Sequence, residues 1–170
     1  MRDAHLPAYR LANFQVAGIY DRDLTRAEAV GREWGIPVMP DLAAAVNVKN
    51  AVFDVAVPPQ AHVEVLSALP RGSIVLLQKP MGRDLGEATG ILEIVNDLRL
   101  TAAVNFQLRF APMMLALGDA LKRGILGKLA DIEIHLNLLT PWDQFPYLLG
   151  LPRVEIAIHS DRKASCRERV

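Results

Sequence analysis

Four short apolar runs, each ended by a turn and separated by stretches of helical period, constrain this chain more than any other feature. Phe14-Gln15-Val16-Ala17-Gly18-Ile19-Tyr20 ends at Asp21-Arg22-Asp23. Val52-Phe53-Asp54-Val55-Ala56-Val57 stops at Pro58-Pro59, and Ser73-Ile74-Val75-Leu76-Leu77 stops at Gln78-Lys79-Pro80. Thr101-Ala102-Ala103-Val104-Asn105-Phe106 is the last. Between them lie helical patterns. Leu24, Ala27, Val30 and Trp34 share a face, with Gly35 at the C-terminal cap and Pro37 beyond. Asp41 caps a brief helix over 42–46, a further helix runs from about Ala61 to Leu69, and Asp84 opens one carrying Leu85, Ala88, Leu92, Val95 and Leu98. Strands alternating with helices over short connections predict an α/β fold with a doubly wound parallel sheet. The nearly continuous run at 73–77 suits a strand covered on both faces.

After Pro112 the pattern changes. Residues 113–122 read as a helix, and Gly124 and Gly127 bracket a turn. Ile132, Ile134, Leu136 and Leu138 then alternate with Glu133, His135 and Asn137, as in an antiparallel strand with one wet face. The expected organisation is an α/β domain over 1–107, the start of an α+β domain over 108–160, and a tail over 161–170. The tail, Asp161 to Val170, continues none of the apolar pattern, resembles translated adapter sequence and is set aside from fold reasoning.

Composition narrows the function. In 170 residues, 19 Lys and Arg balance 19 Asp and Glu, and Cys166 is the single cysteine. Without the tail the balance is 15 basic against 17 acidic residues. Neither count offers the basic excess of a nucleic-acid or anionic-membrane partner. No apolar run approaches the roughly 20 residues of a membrane-spanning helix, and one cysteine excludes a disulfide framework or a multi-cysteine zinc site. The expectation is a soluble cytoplasmic protein that takes a small molecule and no metal.

In an open parallel sheet, ligands bind past the carboxyl ends of the strands. Asp21 there either accepts from a ribose diol or serves as a turn acid and helix cap. Arg22 either pairs with adenosine or its 2′-phosphate, or is a surface charge. Pro58 and Pro59 stop a strand and fix the backbone after Val57. His62 opens the following helix, as a ligand-facing or a structural residue. Lys79, at the end of the most apolar strand, either meets partial desolvation and holds a substrate oxygen, or extends to solvent. Glu155 and His159 share a helix face at spacing four, as an acid–base pair or an ordinary surface pair. Gly82, Gly86 and Gly90 recur every four residues, as packing positions of one helix. No G-x-G-x-x-G occurs, and residues 1–12 read as a helix with no strand before Phe14. The chain is therefore expected to start after a first strand and its glycine loop.

From about His5 to Ser160 the chain resembles the Gfo/Idh/MocA oxidoreductases. Tyr20-Asp21-Arg22 resembles the end of that family's second strand, and Asp54 to Pro59 with His62 resembles its strand–Pro-Pro–His signature. Gln78-Lys79-Pro80 stands where the family has Glu-Lys-Pro, with Gln in place of the acid. Asn105 to Pro112 resembles the interdomain stretch, Gly124 to Leu129 the lead into the substrate sheet, and Arg153 to Ser160 the helix of an Asp-x-x-x-His pair, here Glu155 and His159. The resemblance implies a Rossmann-like doubly wound sheet with its first strand missing, followed by the start of an α+β substrate domain. It implies NAD or NADP as cofactor, lined by Asp21, Arg22, Val57, Pro58, Pro59, His62, Gln78, Lys79, Asn105 and Arg109. Lys79, His159 and Glu155 are then catalytic, and the substrate is a sugar, inositol or related polyol. The intact parent is expected to be a homo-oligomeric dehydrogenase, and this segment alone to be inactive, to fold poorly and to bind no measurable NADH. A non-catalytic ligand- or partner-binding remnant of the same fold is the alternative.

Overall fold

A computed structural model describes residues 1–128. The alternating stretch 132–138, the Glu155–His159 pair and the tail over 161–170 lie outside the described residues. The chain divides into two compact units, Met1–Gln107 and Leu108–Val170.

In the first unit, helices α1 (His5–Leu11), α2 (Leu24–Trp34) and α3 (Leu42–Val46) precede strand β1 (Val52–Val55). A 3-10 turn (Pro59–Ala61) leads into α4 (His62–Ala68), followed by β2 (Ile74–Leu77), α5 (Leu85–Asp97) and β3 (Thr101–Val104). The sheet is parallel in the order β1-β2-β3, with Val55 opposite Leu77 and Leu77 opposite Val104. The helix starts follow their sequence signals. Asp23, Asp41 and Asp84 each accept a backbone N–H from three residues on. Gly35 ends α2 in the left-handed conformation, φ 67°, where a side chain would be strained.

The register divides the side chains. Phe53, Val55, Val75 and Leu77 point to one face, and Val55, Val75 and Leu77 are buried there with Val46, Leu66, Leu69, Ile91 and Leu100. Leu66 and Ile91 lose essentially all exposure, and each such burial contributes about 1.5–3 kcal/mol. The opposite face carries Val52, Asp54, Ile74, Leu76 and Gln78. Helix α1 reaches it through His5 and Tyr9, which both bond to Asp54. Val52 and Ile74 stay open there, at 63% and 49% exposure. The expectation of a sheet covered on both faces is thus corrected: one face is core, and the other is apolar only in part.

The strand expected over 14–20 is also corrected. It contracts to a single parallel bridge between Ile19 and Val38. Its first residues are used to end α1: Asn13 turns left-handed at φ 56°, and the Phe14 N–H returns to the Tyr9 carbonyl at 2.9 Å. Pro37 opposite can offer only its carbonyl, which the Ile19 N–H takes at 2.9 Å. The three glycines spaced by four are not one helix either. Gly82 lies before α5, where a Cβ would come within 2.8 Å of the Ala88 nitrogen, whereas one at Gly90 would meet nothing within 4 Å. Helix α1 is tied to α2 by Arg10 over the Trp34 ring at 4.3 Å, and the residues before α1 by Arg2–Glu33 at 2.8 Å.

In the second unit, a 3-10 turn ends at Phe110, and α6 spans Pro112–Lys122 with Pro112 in its first turn. Met113, Met114, Leu115, Leu117 and Leu121 are exposed on it.

Candidate functional site

Gln78 and Asn105 lie just past the carboxyl ends of β2 and β3, Asp54 lies inside β1, and the sheet register explains why they meet. Asp54, Gln78 and Asn105 lie on one face at successive steps across β1, β2 and β3, because the ladder continues one residue beyond the strands. The Gln78 N–H bonds to the Val55 carbonyl at 3.2 Å, and the Asn105 N–H to the Leu77 carbonyl at 2.8 Å. Their side chains form a row. Gln78 Nε2 donates to Asp54 Oδ1 at 3.3 Å, and Asn105 Nδ2 donates to Gln78 Oε1 at 3.3 Å. The other carboxylate oxygen of Asp54 accepts from the Tyr9 hydroxyl at 2.6 Å and lies 2.5 Å from His5 Nδ1. The Asp54 side chain is only 11% exposed, so these partners replace the water it has lost. Burial, with the bond to Asp54 second, pushes the Tyr9 phenol above its ordinary range.

Lys79 follows Gln78 and is exposed, and its peptide bond to Pro80 is cis. Its exposure is compatible with both roles considered for it, holding a substrate oxygen or extending to solvent. His62 is fully buried. Its Nδ1 lies 3.0 Å from the Met81 carbonyl and its Nε2 3.2 Å from the Val57 carbonyl. Both ring nitrogens face backbone, so the ring joins the loop after β1 to the loop after β2. Pro59 is buried at the start of the 3-10 turn and Pro58 is exposed before it, with Val57 half-buried.

Asp21 is half-buried, just past Ile19 and its bridge. Its Oδ1 accepts the Asp23 N–H at 2.9 Å, and its Oδ2 lies 3.9 Å from Arg26. The turn role is filled by one oxygen, and the other keeps only a loose ion pair. Arg22 pairs with Glu64 at the start of α4. The hydrogen bond to Glu64, reinforced by its charge, holds the Arg22 guanidinium above its ordinary range. Arg109 is exposed in the second unit. Glu155 and His159 lie outside the described residues.

The structure thus brings together Gln78 and Asn105, and binds His62 to the loops that flank Lys79. It also adds His5, Tyr9 and Asp54, which pattern reading passed over. The signal was present: an acid inside an apolar strand needs partners, and His5 and Tyr9 stand four apart on one helix face.

Parallel strands joined by helices, with polar side chains past their carboxyl ends, are the arrangement of a Rossmann-type nucleotide-binding domain. Residues 1–106 match the model of an oxidoreductase family with an NAD-binding Rossmann fold, and the chain belongs to this family, Gfo/Idh/MocA. It is 31% identical over 141 residues to trans-1,2-dihydrobenzene-1,2-diol dehydrogenase of Mus musculus, a match covering 76% of this chain and 42% of that protein. To D-xylose 1-dehydrogenase (NADP(+)) 2 of Haloferax volcanii it is 31% identical over 111 residues, covering 64% and 34%. The crystal structure of an NAD binding oxidoreductase from Klebsiella pneumoniae has the same fold, with a TM-score of 0.65 at 23% identity, over 73% of this chain and 36% of that one. The chain therefore spans well under half the length of these relatives. No helix among the described residues is long and apolar enough to cross a membrane.

The residues fit a dinucleotide in part. The Asp21 oxygen held only by the loose Arg26 pair suits a ribose hydroxyl, and the exposed Lys79 stands past the carboxyl end of β2, where open parallel sheets bind ligands. The sequence holds no G-x-G-x-x-G to cradle the pyrophosphate.

Proposed function

We propose that this chain is the nucleotide-binding part of an NAD(P)-dependent dehydrogenase that oxidises a hydroxyl of a sugar, inositol or related polyol. The observation that carries the reading is the placement of Lys79, exposed at the carboxyl end of β2 beside the Gln78–Asn105 row. The diol and sugar substrates in the names of the two relatives support the substrate class. NAD(P), when bound, supplies the hydride acceptor.

The chain's own residues hold and orient. Asp21 accepts from the adenosine ribose, with Arg22 beside it, and Val57, Pro58 and Pro59 form the wall at the nicotinamide end. His62 fixes that wall to the loop after Lys79. The Lys79 ammonium holds the substrate oxygen by a charge-assisted bond. His159 and Glu155 are the acid–base pair we assign from the sequence, and Arg109 is assigned to cofactor binding. The active polypeptide is a soluble homo-oligomer longer than this segment.

The test joins residues 1–160 to the coding sequence that flanks them in the gene. Sugars and polyols are then screened with NAD+ and NADP+, following reduced cofactor by absorbance. The expected result is turnover on at least one polyol, lost by about 100-fold or more in Lys79→Ala with cofactor affinity held within about threefold, the range expected when a group acts on the reacting centre. Unchanged turnover in Lys79→Ala removes the lysine from the reaction.

A further inference from the structure

The site reading leaves Asp54 without a role, yet it is the most heavily partnered side chain of the first unit. Its position is costly: a carboxylate in the middle of β1, 11% exposed, on a face that also carries Leu76. Four groups meet it or its row: His5 and Tyr9 from α1, Gln78 after β2, and Asn105 after β3 through Gln78. A carboxylate only accepts, so Gln78 must turn its NH2 to Asp54 and its carbonyl oxygen to Asn105. The direction of the whole row is set at Asp54. A glutamate at 78 could not take this place, because its carboxylate would face that of Asp54 at the distance of a hydrogen bond.

We propose that Asp54 is a positioning residue for the edge that carries Lys79: its carboxylate orients the Gln78 amide and, through it, Asn105, and the negative charge of this edge belongs at 54 and not at 78. The charge sits one strand away from the lysine and reaches it through a neutral amide. Gln78 is then the partner that an acid at 54 requires. That the edge serves a reaction rests on the function proposed above; the coupling of 54 to 78 and to Lys79 does not.

The test is a charge-exchange cycle in the full 170-residue chain, with Gln78→Glu, Asp54→Asn and the double variant. Thermal unfolding is followed at about pH 8 and about pH 5, together with the backbone amide signal of Lys79 in 15N-labelled protein. Gln78→Glu opposes two acids and is expected to lower the melting midpoint by about 5 °C or more at the higher pH. It should regain most of that loss at the lower pH, where the pair keeps a shared proton. Asp54→Asn alone can turn its amide oxygen to Gln78 and its NH2 to the Tyr9 hydroxyl, which then accepts; it keeps the row, loses the charge, and is expected to fall between. The double variant restores the bonds of the row, while the His5 contact passes from a carboxylate to an amide oxygen. The amide introduced at 54 donates its NH2 to the carboxylate introduced at 78, and that carboxylate still accepts from Asn105. The amide carbonyl at 54 still accepts from Tyr9. The midpoint of the double variant should return to within about 2 °C of the unaltered chain at both pH values.

The Lys79 amide signal should move in both single variants and return in the double. A double variant no more stable than the poorer single variant overturns the charge placement. Recovery of the midpoint with a Lys79 signal that never moves overturns the positioning role and leaves Asp54 a structural acid. The turnover assay of Lys79→Ala fails or succeeds independently of either result.

Discussion

Removing the His62 ring tests the account of the loops around Lys79 most directly. The ring is fully buried, and its two nitrogens face the Met81 and Val57 carbonyls at 3.0 and 3.2 Å. His62→Leu keeps much of the volume and supplies no donor. A buried acceptor left unpaired costs about 1–3 kcal/mol. An imidazole with one N–H donates to one of the two carbonyls, so its loss gives an expected cost of about 1–3 kcal/mol. That is a large share of the roughly 5–15 kcal/mol typical of a domain. His62→Gln can supply a donor to one carbonyl and should lose less. Urea unfolding followed by far-ultraviolet circular dichroism measures both, with the denaturant slope unchanged. A His62→Leu variant within about 0.5 kcal/mol of the unaltered chain refutes the reasoning. The carbonyls would then have other partners, and the ring would be packing alone.

Three further outcomes follow from the same geometry. Burial and the bond to Asp54 raise the Tyr9 phenol, so the contribution it makes is fully present below about pH 10, the ordinary phenol value. It is lost as pH rises beyond that, because the unfolded chain releases the proton first. Thermal unfolding between neutral and strongly alkaline pH should show a falling midpoint, and Tyr9→Phe should flatten the alkaline arm. Glu64 holds Arg22 in an exposed ion pair, and exposed pairs exchange readily with solvent. In the polypeptide that joins residues 1–160 to their flanking coding sequence, Glu64→Gln should therefore raise NADPH affinity relative to NADH by about two- to fivefold by fluorescence titration, and an unchanged ratio removes Arg22 from the proposed 2′ position. Leu66 is fully buried among Val55, Val75, Leu77 and Ile91, and Leu66→Ala should cost about 2–5 kcal/mol by urea unfolding; a loss under about 1 kcal/mol would mean the core is not packed there.

What was legible in the sequence was what local chemistry decides. Asp23, Asp41 and Asp84 cap helices where their spacing to an apolar run says they should, because a cap needs only a side-chain oxygen three residues from a free N–H. The runs at 52–57, 73–77 and 101–106 became strands because β1 and β3 flank β2 and their apolar residues reach a shared core. The run at 14–20 is similarly apolar and failed, since a strand is made by its neighbour as much as by itself. Its start was taken by the end of α1, and Pro37 across from it lacks an N–H. His62 was visible as a residue but not as a tie, because its partners are backbone carbonyls whose positions depend on two loops five and 19 residues away.

Asp54 was the clearest omission, and its reason is instructive. Period-two reading treats a strand as a face of apolar residues and absorbs a single acid as noise. A buried charge instead obliges other elements to bring it donors. Here the donors come from α1, 45 and 49 residues upstream, and from Gln78, 24 residues downstream. No local pattern spans such separations, but the requirement itself is local: Asp54 stands inside Val-Phe-Asp-Val, and any fold that buries that strand must answer it. The amide at Gln78 and the acid at 54 then answer one another across a 3.3 Å bond.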